Sequence, residues 1–91
     1  MTDDVIKALK FVLVNALFVE VPEDQIGVDD GLQSVLGLDS VSFVELRVHC
    51  EDIFRVRISD DDFSPENFRS LNRLAQLITK LRSGLEVVDA N

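Results

Sequence analysis

Residues 36–46 read LGLDSVSFVEL, Leu36 through Leu46, and the fold turns on how this stretch is parsed. Gly37 and Asp39 punctuate the chain, and the apolar residues that follow recur at helical spacing. Asp39 and Ser40 are both favourable residues for the start of a helix, where a side-chain oxygen satisfies an orphan backbone N–H. The spacing predicts a helix over 40–54. In the bland account, Ser40 is only its cap, which is what a serine ahead of an apolar helix usually is. The sharper account makes Ser40 a place where chemistry is attached.

The predicted helix has two apolar faces. At about 100° per residue, Phe43, Leu46, Cys50, Ile53 and Phe54 share one stripe of core-facing width. Val41, Val44 and Val48 fall on the opposite side, interleaved with Glu45, Glu51 and Asp52. A second stripe is explained either by burial against the preceding loop or by an exposed docking face. Valines that alternate with three carboxylates favour docking, in which small apolar contacts give modest affinity and the acids select basic partners.

Working outward, residues 3–19 read as a helix. Thr2 is a candidate cap, Asp3 and Asp4 suit the positive helix end, and Ile6, Leu9, Leu13, Ala16 and Leu17 form the stripe. Pro22 stops it. From Pro22 to Asp39 no period is sustained, and the segment reads as a long loop with one helical turn near Leu32–Val35, packed by Ile26, Val28, Leu32 and Leu36. After the 40–54 helix, RVRIS is a short extended connector. A short third helix begins at Ser59, with Asp62 three positions on, or at Ser64-Pro65. Ser70 caps a closing helix with Leu71, Leu74, Ala75, Ile78 and Leu81 on one face, and Gly84 is its natural stop. The fold class is therefore all-α: a small four-helix bundle of three longer helices and one short helix, with a long loop between the first and second. One domain spans 1–84, and 85–91 is a disordered tail.

Composition narrows the function. The chain has 91 residues and a net charge of −8. Between Glu20 and Glu66, thirteen acids face only Arg47, Arg55 and Arg57. Such a surface repels nucleic acid; its acids either steer basic protein partners or simply keep a small protein soluble. One cysteine supplies no intramolecular disulfide. The opening MTDDVIK lacks a signal peptide's positive charge, and no apolar run reaches membrane-spanning length. A cytoplasmic monomer without membrane insertion is the expectation.

No self-contained catalytic apparatus is legible. His49 and Cys50 are adjacent, so on a helix they diverge by about 100° and make no nucleophile–base pair. Cys50 reads as a small buried apolar residue. Asp60, Asp61 and Asp62 lack the glycine and distal glutamate of a calcium loop, and no Cys/His spacing suits a metal. The expectation is a protein that is not an enzyme and holds no metal.

LGLDSVSFVEL followed by CEDIFRVRIS resembles the centre of the acyl carrier protein family. Gly37, Asp39, Ser40, Val44, Glu45, Leu46, Glu51, Asp52, Phe54 and Ile58 carry the match, and the order of elements extends it over most of the chain. The resemblance implies that Ser40 bears a covalent 4′-phosphopantetheine, transferred from coenzyme A by a phosphopantetheinyl transferase. It implies that Asp39 helps that transferase and its metal engage the site. It also places Val41, Val44, Glu45, Val48, Glu51 and Asp52 on the partner-recognition helix. The implied function is carriage of acyl thioesters to ligases, synthases and acyl-transferring enzymes with basic docking patches, in fatty-acid, polyketide or specialised lipid biosynthesis.

Some residues depart from the fatty-acid type. Val41 replaces a leucine, Ser42 stands where an acid is usual, and Arg47 and His49 add positive character. The segment ENFRSL resembles specialised carriers, aminoacyl types included. Two alternatives stand beside the acyl carrier: an aminoacyl or peptidyl carrier loaded by an adenylating ligase, and an acidic helical adaptor without a prosthetic group.

Overall fold

The computed structural model describes residues 2–90, with side chains for residues 3–83. Among the described residues there are three α-helices: α1 (Thr2–Asn15), α2 (Ser40–Phe54) and α3 (Leu71–Ala90). Among the described residues there is no strand, and a single antiparallel bridge joins Gly31 to Ser70. The all-α class stands. The expected cap at Thr2 lies outside the residues whose side chains are described. The stop expected at Gly84 is not made: α3 continues through Gly84, into the tail expected over 85–91, as far as Ala90, because a single glycine weakens a helix without breaking it.

α1 ends four residues earlier than its apolar pattern predicts. Asn15 turns its amide back onto the Phe11 carbonyl at 3.0 Å, and Phe18 takes a left-handed φ of 59° that reverses the chain. Ala16, Leu17 and Val19 still pack on the core, so the hydrophobic signal outlasts the helix. Pro22, which has no N–H to give, then precedes a single 3-10 turn over Glu23–Gln25.

The long loop is ordered by its own side chains. Ile26, Leu32 and Leu38 are buried, and Leu36 packs part-buried against them, while Val28 remains at the surface. Val35 N–H donates to the Gly31 carbonyl at 2.9 Å, which forms the expected turn, and Gly37 ends it with a positive φ of 75°. Backbone bonds from Leu32 N–H to the Arg69 carbonyl (2.9 Å) and from Asn72 N–H to the Val28 carbonyl (2.8 Å) pin the loop to the entry of α3.

The short helix after α2 is not formed. Both expected starts cap one turn each: Asp62 N–H donates to Ser59 Oγ at 3.1 Å, and Asn67 N–H to Ser64 Oγ at 3.2 Å. Pro65 separates them, because a residue before proline is pushed out of the helical region and Pro65 itself lacks a donor. The architecture is three helices and two consecutive turns.

The core joins all of these segments. Leu9 and Leu13 of α1, Leu46 and Cys50 of α2, Ile58 of the connector, and Leu71, Leu74 and Ile78 of α3 are all essentially inaccessible. α1 packs chiefly on α3, and α2 touches both. Ile53 departs from the predicted core stripe and is 46% exposed at the end of α2. No described helix is long and apolar enough to cross a membrane.

Candidate functional site

The start of α2 is built by Asp39. Its backbone is extended and its Oδ1 accepts the Ser42 N–H at 2.8 Å, so Asp39 is the cap and Ser40 the first helical residue. That bond, with a contribution from the Ser42 side chain, holds the Asp39 carboxyl below the usual carboxylate range. Ser40 is exposed, and its hydroxyl makes no hydrogen bond among the described residues. A free hydroxyl therefore stands at the positive end of a helix beside an ionised carboxylate.

Beside Ser40 runs an open groove of about 1170 Å³ between the turn at Gly31–Ser34, the start of α2, and residues 63–73. Its floor is aromatic. Phe68 meets Phe63 edge-on with ring centres 4.9 Å apart, and Phe43 likewise at 6.5 Å. Its rim is polar, with Asp29, Ser34, Ser64, Glu66, Arg69 and Arg73. Glu66 bonds Arg73 and lies near Arg69, and these arginines hold its carboxyl below its ordinary range. Glu66 and Arg69 lie in the ENFRSL segment that resembles specialised carriers, but nothing in the sequence places them or Arg73 beside Ser40, from which they are far along the chain.

The second stripe of α2 is at the surface. Val41, Val44 and Val48 are 66%, 51% and 56% exposed, so the alternative of burial against the loop does not hold. Glu45 and Asp52 are exposed beside them. Glu51 is placed differently from the fringe expected of it, because its carboxylate accepts the part-buried Ile58 N–H at 2.8 Å. Arg47 also turns to the connector, donating to the Ile58 carbonyl at 2.6 Å and to Asp60 at 3.1 Å, with its guanidinium 5.0 Å from the Phe63 ring centre.

Cys50 is buried between helices, and desolvation first, then the charge of Glu51, pushes its thiol up to about 12. It is no nucleophile at neutral pH. Among the described residues no three His, Cys, Asp or Glu side chains converge as a metal site.

A family model described as the phosphopantetheine attachment site matches residues 15–78. The chain is 31% identical over 78 residues to the D-alanyl carrier protein of Streptococcus sanguinis, covering 86% of this chain and 96% of that one. It is 30% identical, with the same coverage, to the D-alanyl carrier proteins of Streptococcus gordonii and Streptococcus thermophilus.

Proposed function

The chain belongs to the phosphopantetheine-attachment carrier family, whose cofactor is a covalent 4′-phosphopantetheine, and on that premise we propose that Ser40 bears the arm and that the cargo is aminoacyl, loaded by an adenylating ligase. The observation that carries the first half is the free, exposed Ser40 hydroxyl at the capped start of α2, opening on a groove. When attached, the arm supplies the thiol that holds cargo as a thioester. The residues of this chain fit it. The positive end of the helix dipole favours a phosphate on Ser40. Asp39, committed through one oxygen to Ser42, orients the turn and keeps a negative charge where a transferase and its metal engage the site.

The cargo assignment reverses the order of the two carrier expectations. The relatives are D-alanyl carriers, and the rim beside Ser40 carries charges and hydroxyls, which suit a small polar cargo better than a long alkyl chain. Val41, Val44, Glu45, Val48 and Asp52 are the docking face for the partner enzymes. Ser42 removes a charge beside Ser40 without weakening the start of α2, since its backbone N–H is what Asp39 needs.

Intact mass tests both halves. Treatment with coenzyme A and a broad-specificity phosphopantetheinyl transferase adds the mass of one arm, and Ser40→Ala abolishes the gain. Holo protein incubated with ATP, an adenylating ligase and D-alanine then gains an aminoacyl group, whereas a fatty-acyl ligase with a long-chain acid leaves it unchanged. No mass gain in the first step would restore the acidic-adaptor reading. Loading by the fatty-acyl ligase alone would restore the acyl one.

A further inference from the structure

The two edges of α2 are put to different uses. At about 100° per residue, Val44, Val48 and Val41 form the exposed ridge, with Glu45 and Asp52 along one side and Arg47 and Glu51 along the other. On the second side both charges are committed to the protein itself. Arg47 donates to the Ile58 carbonyl and Glu51 accepts the Ile58 N–H, so one i, i+4 pair grips both polar groups of a single connector residue. On the first side Glu45 and Asp52 make no hydrogen bond or ion pair among the described residues. They lie seven residues apart, about 10 Å along the axis and nearly in register.

We infer that the surface received by α2 is one-sided: an apolar patch over the valine ridge, with two Lys or Arg cations about 10 Å apart along one margin only. This rests on the docking reading above and commits it to a partner chemistry. Two unpaired carboxylates against an apolar ridge lose water on docking, and cations placed opposite them offset that loss more fully than neutral donors do. A third cation aimed at Glu51 finds its carboxylate occupied and must displace the Ile58 N–H. The acid fringe that sequence alone suggests, three carboxylates around the ridge, is thereby reduced to two on one side.

The probe is a broad-specificity phosphopantetheinyl transferase with coenzyme A, reading KM for the apo protein separately from kcat. Glu45→Gln and Asp52→Asn each raise KM by about three- to five-fold, the scale of one exposed ion pair, with kcat nearly unchanged and the difference shrinking as salt rises. Glu51→Gln removes a charge but keeps an oxygen for the Ile58 N–H, and leaves KM within the error of wild type. The inference is overturned if Glu51→Gln raises KM as much as the other two, or if none of the three moves it. If the wild-type chain takes no arm at all, the carrier reading falls, and this inference falls with it.

Discussion

Glu51 on α2 accepts the backbone N–H of Ile58, seven residues on, at 2.8 Å. Ile58 is wholly buried, so this bond fixes where the connector drops into the core. Glu51→Ala leaves a part-buried N–H without a partner and should cost about 1–3 kcal/mol. Glu45→Ala, on the open edge, should stay within about 0.5 kcal/mol of wild type. Urea denaturation of the two variants checks the contrast, and equal losses would contradict it.

Ser40→Ala should leave stability within about 0.5 kcal/mol of wild type while removing the attachment site. The reason is that Asp39, not Ser40, accepts the Ser42 N–H. Asp39→Ala should lower the midpoint of thermal unfolding, and Asp39→Asn, which still caps, should restore most of it at neutral pH.

The same bond predicts a pH dependence. Its carboxyl is lowered on folding from an ordinary value of 3.8, so the folded state binds the proton less tightly than the unfolded one. The stabilisation is complete above that ordinary value and is lost as pH falls through the lower folded one. Thermal midpoints of wild type and Asp39→Asn should therefore draw together as the medium is acidified below it. A gap that widens on acidification would reverse the sign.

Cys50 should resist thiol reagents in the native protein and react fully once unfolded, because it is 1% exposed and its thiol is pushed up to about 12. Reaction with a disulfide reagent at mildly alkaline pH, with and without denaturant, separates the two states. Cys50→Ser places a hydroxyl in the same apolar site and should cost about 1–3 kcal/mol.

Gly37 has a φ of 75°, and a β-carbon built there would meet nothing within 4 Å. Gly37→Ala should cost about 1–2 kcal/mol through backbone strain alone. Chemical denaturation gives the loss, and Gly37→Asn should recover part of it, since Asn tolerates the left-handed region.

Much of this protein was determined by local sequence. The 40–54 helix, its punctuation at Gly37 and Asp39, the turn after Gly31, and the core positions Leu9, Leu13, Leu46, Leu71, Leu74 and Ile78 follow from periodicity and capping chemistry, which act over one or two turns of chain. The valine stripe followed too, because a helix that shows apolar residues on both sides leaves one of them over. Tertiary structure decided the rest. The apolar pattern of α1 runs on to Leu17 and Val19, but the helix stops at Asn15, since packing rewards buried area whether or not the backbone is helical. Pro65 turned one expected short helix into two turns. Above all, Glu51 and Glu45 look alike on a helical wheel, and only the path of the connector separates them. Ile58 brings its N–H to one edge of α2 and not the other, and a carboxylate binds the donor that the fold carries to it.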